Sequence, residues 1–290
     1  MTGSIPGKRK GSFILSSVII LCVISCLLPI IYVLAISTSS KRAILAGEVG
    51  LLPVEFNLDA YAAILKTDSI IHSLIFTAIL TVVFTFLAMT MTLFAAYPLT
   101  KSRLRGVNVI LLLMIFTMYF GGGIIPEYML LKGLHLTNTE WVLILPGVIS
   151  VFNLIILKSF ILSLPQGLEE SAYIDGCSDF GILFKIVLPL SMPVIATLVL
   201  FYAVGRWNGF QDALMFISKP ELYPIQLVLY QIMTGLSDSE VMKEGTGQTN
   251  MVSESIKSAS IIFATLPIVA VYPFLQKYFV SGVMIGAVKG

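Results

Sequence analysis

Charge is scarce in this chain. Only 12% of its 290 residues are Asp, Glu, Lys or Arg, where an ordinary soluble domain has about 25%. Histidine occurs twice, at His72 and His135, and cysteine three times. Each shortage excludes a class of chemistry. Cys22, Cys26 and Cys177 supply neither a disulfide framework nor a zinc pattern and read as small buried apolar side chains. The two histidines are far apart, lack a ligand set, and read as interfacial residues. No G-x-x-x-x-G-K-[ST] run is present, so the chain does not hold ATP through a phosphate loop. No Ser/His/Asp set has catalytic spacing, which argues against a membrane-embedded enzyme, and nothing points to nucleic acid. The long apolar runs contain no acid or base of the kind that marks proton- or sodium-coupled transport. If the chain transports anything, its energy enters from outside.

Apolar residues are abundant instead: 57% of the chain, with a mean hydropathy of +0.95. A soluble fold of this length would have too little polar surface to cover itself. Crossing the hydrocarbon core takes roughly 20 helical residues, and lipid offers no partner to non-helical backbone. The sequence therefore predicts an all-α membrane protein with six transmembrane helices, at residues 13–36, 70–98, 107–126, 141–163, 186–206 and 258–277. Lys8, Arg9 and Lys10 precede the first span, and Lys101, Arg103 and Arg105 crowd a short loop after the second. The positive-inside bias then puts residues 1–10 and the tail, 278–290, in the cytoplasm, and the 207–257 loop outside. The first run exceeds a signal-peptide core of about 7–15 residues and reads as an uncleaved span.

Local punctuation adds detail. Gly121, Gly122 and Gly123 before Pro126 predict an interruption at the end of the third span. Between the first two spans, Asn57-Leu-Asp59 can cap a short helix in an amphipathic connector. In the outer loop, LYPIQLVLYQIM predicts a helix folding back, and GLSDSEVMKEGTGQTN a mobile tip.

Residues 165–188 interrupt two greasy stretches with Glu169, Glu170, Asp175 and Asp179. SLPQGLEESAYIDG carries helix signals: Ser163 near the N-cap, Pro165 in the first turn, early acids favoured by the helix dipole, and Gly176 at C′. Ser178 or Asp179 can cap a second helix, FGILFKIV, leading to Leu188-Pro189. The expectation is a helix–turn–helix elbow on the cytoplasmic surface, where small Ser171 and Ala172 let a partner approach.

Glu170-Ser171-Ala172, then Asp175-Gly176-Cys177, Ile186, Leu188-Pro189 and Pro193 resemble the E-A-A loop of ABC-importer permeases. The family pattern is E-A-A, three residues, Gly, nine residues, Ile-x-Leu-Pro; this chain departs at Ser171 and Cys177. The ending YFVSGVMIGAVKG resembles the tail of the smaller permease subunit of maltose-type carbohydrate importers. The glycine-rich third span and the tail most resemble Gram-positive permeases for oligomeric sugars.

That resemblance implies a type I importer permease fold in the bacterial cytoplasmic membrane. It implies four partners besides lipid: a second permease subunit, two cytoplasmic ATPases that bind the ATP and Mg, and an extracellular sugar-binding lipoprotein. Glu170, Ser171, Ala172, Asp175, Gly176, Ile186, Leu188 and Pro189 would couple to an ATPase, and Gly282, Gly286, Ala287 and Lys289 of the tail would reach along it. The outer loop would resemble the scoop that empties the binding protein. For the substrate pathway, Tyr119, Asn153, Tyr202, Trp207 and Asn208 are polar or aromatic residues at positions able to face a cavity. Alternatives are an ABC permease for an amino acid, metal or phosphate, which shares the E-A-A loop, and a secondary transporter, which leaves the acidic elbow unexplained.

Overall fold

A computed structural model describes residues 7–101, 103–235 and 254–287, all helices and connections with no strand. Lys289 and most of the expected mobile tip lie outside them. Contacts divide the chain into two compact units: Met1–Ile71 with Leu229–Leu266, and His72–Val228 with Pro267–Gly290.

The first unit opens with α1 (Gly7–Ser37), long and apolar enough to span a membrane. Cys22 and Cys26 lie exposed on α1, not buried, because its apolar surface has almost no protein against it. The segment after α1 is more than a surface connector. It folds back on the helix end: Asn57 N–H donates to the Thr38 carbonyl at 2.9 Å and Val54 N–H to Ser39 Oγ at 3.0 Å. Two short helices, α2 (Lys41–Leu45) and α3 (Asp59–Lys66), sit within it. Leu58 occupies the α3 N-cap, while Asn57 Oδ1 accepts from Asp59 N–H two residues on. Tyr61 reaches back to share a 2.8 Å hydrogen bond with Ser37 Oγ.

Helix α4 (Asp68–Ala96), which lies in the second unit from His72 on, is long and apolar enough to span a membrane without a break, while three later pairs of apolar helices are bent at short breaks. Helix α5 (Val107–Tyr119) has 13 residues, about 20 Å of rise and too little for a roughly 30 Å core. It stops at the predicted glycines, where Gly123 takes a φ of +86°, conformational freedom only glycine supplies cheaply. Helix α6 (Ile124–Gly133) then leaves at 113°. The chain then runs through 3₁₀ turns around Pro146 and into α7 (Val151–Leu162) after a 46° bend.

Beyond α8 (Gln166–Ile174), the chain is helical again from Asp179 onward, as the FGILFKIV segment led one to expect. It runs through α9 (Asp179–Ile182), a π turn at Leu183–Val187 and α10 (Leu188–Leu190), then bends 81° into α11 (Met192–Asn208). Proline explains both irregularities. Pro189 and Pro193 each lack a donor and crowd the carbonyl four residues back. The Leu188 N–H therefore reaches Leu183 O in a π pattern, and Ser191 sits buried at the bend. Helices α12 (Gln211–Phe216) and α13 (Ile225–Thr234) follow, α13 being the piece expected to fold back. Last comes α14 (Glu254–Ala287), longer than the 258–277 span and continuous into the tail.

Candidate functional site

The elbow is built by its caps. Pro165, not Ser163, occupies the N-cap of α8; Ser163 ends α7 instead, donating its hydroxyl to Phe160 O. At the other end Cys177 N–H bonds Ala172 O at 2.9 Å and Gly176 N–H bonds Tyr173 O at 3.1 Å. That is a Schellman closure with Gly176 at C′, φ +78°. Ser178 caps α9, accepting from Gly181 N–H.

The motif residues separate by burial. Glu170, Ser171, Asp175 and Gly176 face outward, with Ile174 86% exposed beside them. Ala172 is buried, and Ile186, Leu188 and Cys177 pack against the same core as Ile182, Leu183 and Val187. That core includes Leu93 and Ala96 of α4, Tyr97 just beyond its end, and Leu157 and Ile161 of α7. Ala172 apart, the first half of the motif is thus a presented surface. Apart from the exposed Pro189, the second half is an anchor in a hydrophobic cluster.

The acids are also divided. Glu169 pairs with Lys101, whose ammonium also lies 4.1 Å from the Tyr97 ring centroid. Asp179 pairs with Arg103 and accepts from the Tyr173 hydroxyl. These bonds hold the Asp179 carboxyl below the usual carboxylate range, the Tyr173 hydroxyl contributing most and Arg103 next. The same bond to Asp179, with burial, pushes the Tyr173 phenol up to about 12. The basic loop that the sequence offered only as an orientation signal therefore holds the elbow in place. Both loops were expected on one side of the membrane, and that shared side was the available clue to their pairing.

A second feature lies at the far end of α11. Asn153, Tyr202 and Asn208 line a cavity of about 540 Å³, together with Phe84, Glu127 and Arg206. Of the other expected pathway residues, Trp207 is buried and Tyr119 is 74% exposed at the end of α5; neither lines this cavity. The Tyr202 hydroxyl bonds Thr92 of α4 at 2.6 Å and accepts from Ser150 N–H. Arg206 is a residue the sequence reading missed. Placed by the sequence at the last position of the 186–206 span, it is buried within α11, so this apolar region does hold a charge. It forks onto both oxygens of Asp212 at 2.5 and 3.0 Å, donates to the Leu143 and Gly209 carbonyls, and lies over the Phe84 ring.

The comparisons with known proteins agree with this architecture. The family model described as "Binding-protein-dependent transport system inner membrane component" matches residues 102–285. The chain is 47% identical over 265 residues to Protein LplC of Bacillus subtilis (strain 168), spanning 91% of this chain and 90% of that protein. It is 42% identical over 285 residues to the polygalacturonan/rhamnogalacturonan transport system permease protein YtcP of the same organism, spanning 98% of this chain and 99% of that one. Among solved structures, it is similar to a chain of a bacterial ABC transporter involved in the import of the acidic polysaccharide alginate. The TM-score is 0.88 and the identity 29%, covering 96% of this chain and 100% of that one. With the elbow, the broken apolar helices and a family match over most of its length, the chain belongs to the inner-membrane permease components of binding-protein-dependent transport systems.

Proposed function

We propose that this chain is one of two permease subunits of an ATP-driven importer that brings oligosaccharides into a bacterial cell. The observation that carries the reading is the division of the elbow into an exposed face (Glu170, Ser171, Ile174, Asp175, Gly176) and an anchored one. The exposed face docks on a cytoplasmic ATPase, and the anchor passes the motion inward. Six spans with both termini cytoplasmic complete the reading, each bent pair of apolar helices being taken as one crossing; helix length and composition support that number. ATP and Mg belong to two ATPase subunits; this chain binds and orients but breaks no covalent bond. Helix α5 has no buried residue, which supports a lipid or second-permease contact along it. Gly282, Gly286 and Ala287 continue α14 toward the ATPases, with Lys289 following.

The cavity at Asn153, Tyr202 and Asn208 contributes this subunit's part of the sugar pathway, and Tyr119 and Trp207, which lie outside its lining, belong to other stretches of that pathway. Oligosaccharide cargo is supported by relatives named for polygalacturonan, arabino-oligosaccharide and alginate transport. A loaded extracellular binding protein would deliver that cargo, as a periplasmic protein does in an alginate importer whose likeness here is one of fold.

Deleting the gene and measuring uptake tests the reading. Loss of oligosaccharide uptake, restored by the intact chain, is expected. Unchanged uptake of every oligosaccharide, with loss of amino-acid, metal or phosphate uptake, would refute the sugar assignment.

A further inference from the structure

Docking alone gives no role to the two elbow acids that are held by cations, Glu169 at 26% and Asp179 at 44% side-chain exposure. Glu169 lies before the Gly176 turn and Asp179 after it, and each is held by a cation of the same short loop, Lys101 and Arg103. Tyr173, on the helix between them, joins the set through Asp179 and lies 5.8 Å from the Arg103 guanidinium. The Lys101 side chain is 12% exposed, enclosed by Glu169 and the Tyr97 ring, whereas Arg103 is 62% exposed. An exposed pair of the second kind adds little to stability. Its placement matters more: an elbow held on both sides of its own turn cannot pivot about Gly176 without breaking a link.

We propose that Lys101–Glu169 and Arg103–Asp179 form a two-point clamp that makes the elbow and the end of α4 one moving body. This rests on the elbow being the ATPase-docking surface. The stroke received there is then delivered to α4 rather than only to the span that follows the elbow. Helix α4 suits the task. It is 29 residues long without a break, about 44 Å at 1.5 Å per residue. It also carries Phe84, under Arg206 on the cavity wall, and Thr92, bonded to the Tyr202 that lines the cavity. The three other spans in this unit that bend would absorb a push at their breaks. Lys101, Arg103, Glu169 and Asp179 are accordingly positioning residues, acting through α4.

Hydrogen exchange on the complete transport complex in detergent, with and without ATP and vanadate, tests the clamp. In the unaltered complex, nucleotide changes exchange at residues 166–182 and at 97–105 together. In Glu169→Gln/Asp179→Asn, the response at 97–105 is lost while that at 166–182 persists. Exchanging the charges, Lys101→Glu with Glu169→Lys, restores the response at 97–105 that Glu169→Gln alone weakens. If the double variant fails to assemble, Asp179→Asn is read the same way, since its ion pair is exposed. An undiminished response at 97–105 in the variants overturns the clamp and leaves the docking reading intact. No nucleotide response at 166–182 in the unaltered complex overturns both.

Discussion

Removing the counter-charge of Arg206 has a cost that its contacts fix. The side chain is 7% exposed and Asp212 is 30% exposed. Asp212→Asn keeps the shape but turns one accepting oxygen into an amide nitrogen. One bond to the guanidinium disappears and the other loses charge assistance. At full burial this is a loss of about 3 kcal/mol, since such bonds contribute about 1.5–3 when charged and about 0.5–1.5 when neutral. Hydration of the partly exposed carboxamide reduces the figure to about 2 kcal/mol. Arg206→Met costs more, about 3–5 kcal/mol, because it leaves the Asp212 carboxylate without its counter-charge and the Leu143 and Gly209 carbonyls without this donor. In the double variant the carboxylate is gone, so the two losses overlap and couple by about 1.5–2 kcal/mol. Apparent unfolding temperatures of the four proteins in detergent, at one scan rate, provide the measurement. Asp212→Asn should fall by about 4–8 °C, at roughly 2–4 °C per kcal/mol. Losses that simply add, within about 0.5 kcal/mol, would refute a coupled buried pair.

Gly209 faces the same guanidinium: a Cβ built there lies 2.9 Å from Arg206 Nη2 and 3.3 Å from Gly205 O. Gly209→Ala should destabilise by about 1–3 kcal/mol, read as a lower unfolding temperature, because four bonds keep the guanidinium from yielding. The elbow should also respond to pH at its extremes. Asp179 titrates below its ordinary value of 3.8, so its contribution is present at neutral pH and is lost only as pH falls through that lowered pKa. Tyr173 titrates at about 12 against an ordinary 10.0, so its contribution is complete below pH 10 and is lost as pH approaches 12. Limited proteolysis within 166–182 should therefore be flat across neutral pH and accelerate only in strong acid or alkali; a transition near pH 6–8 would contradict this.

Features set by neighbouring residues were legible in the sequence, and those set by distant ones were not. Gly176 as the stop of α8, Ser178 as the cap of α9 and the glycine break after Tyr119 all follow from a few adjacent side chains. The proline pair around Ser191 announces an irregular helix, but its 81° angle depends on packing that no local pattern encodes. Lys101 and Glu169 are 68 residues apart, Arg103 and Asp179 are 76. Charges that far apart declare a sign without naming a partner. Arg206 went unrecognised for a related reason: a charge at the end of an apolar run reads as a plain interfacial terminus, whereas Asp212, six residues on, makes its burial tolerable.

The same split between near and far decides how Gly176 should be tested. Its φ of +78° falls in the left-handed region, where a Cβ costs roughly 1–2 kcal/mol. Yet a Cβ built there meets nothing within 4 Å, so inside this chain the glycine is needed for conformation and not for space. Gly176→Ala should therefore weaken the elbow locally while leaving the permease inserted and ATPase stimulation by the loaded binding protein reduced but present. Gly176→Arg carries the same conformational cost and adds bulk only to the outside, so any further loss must arise from whatever approaches that face. Stimulation abolished in Gly176→Arg but retained in Gly176→Ala, with equal amounts of both in the membrane, is the expected result. If the two variants behave alike, the turn matters to this chain alone and the exposed face of the elbow is not where the ATPase sits.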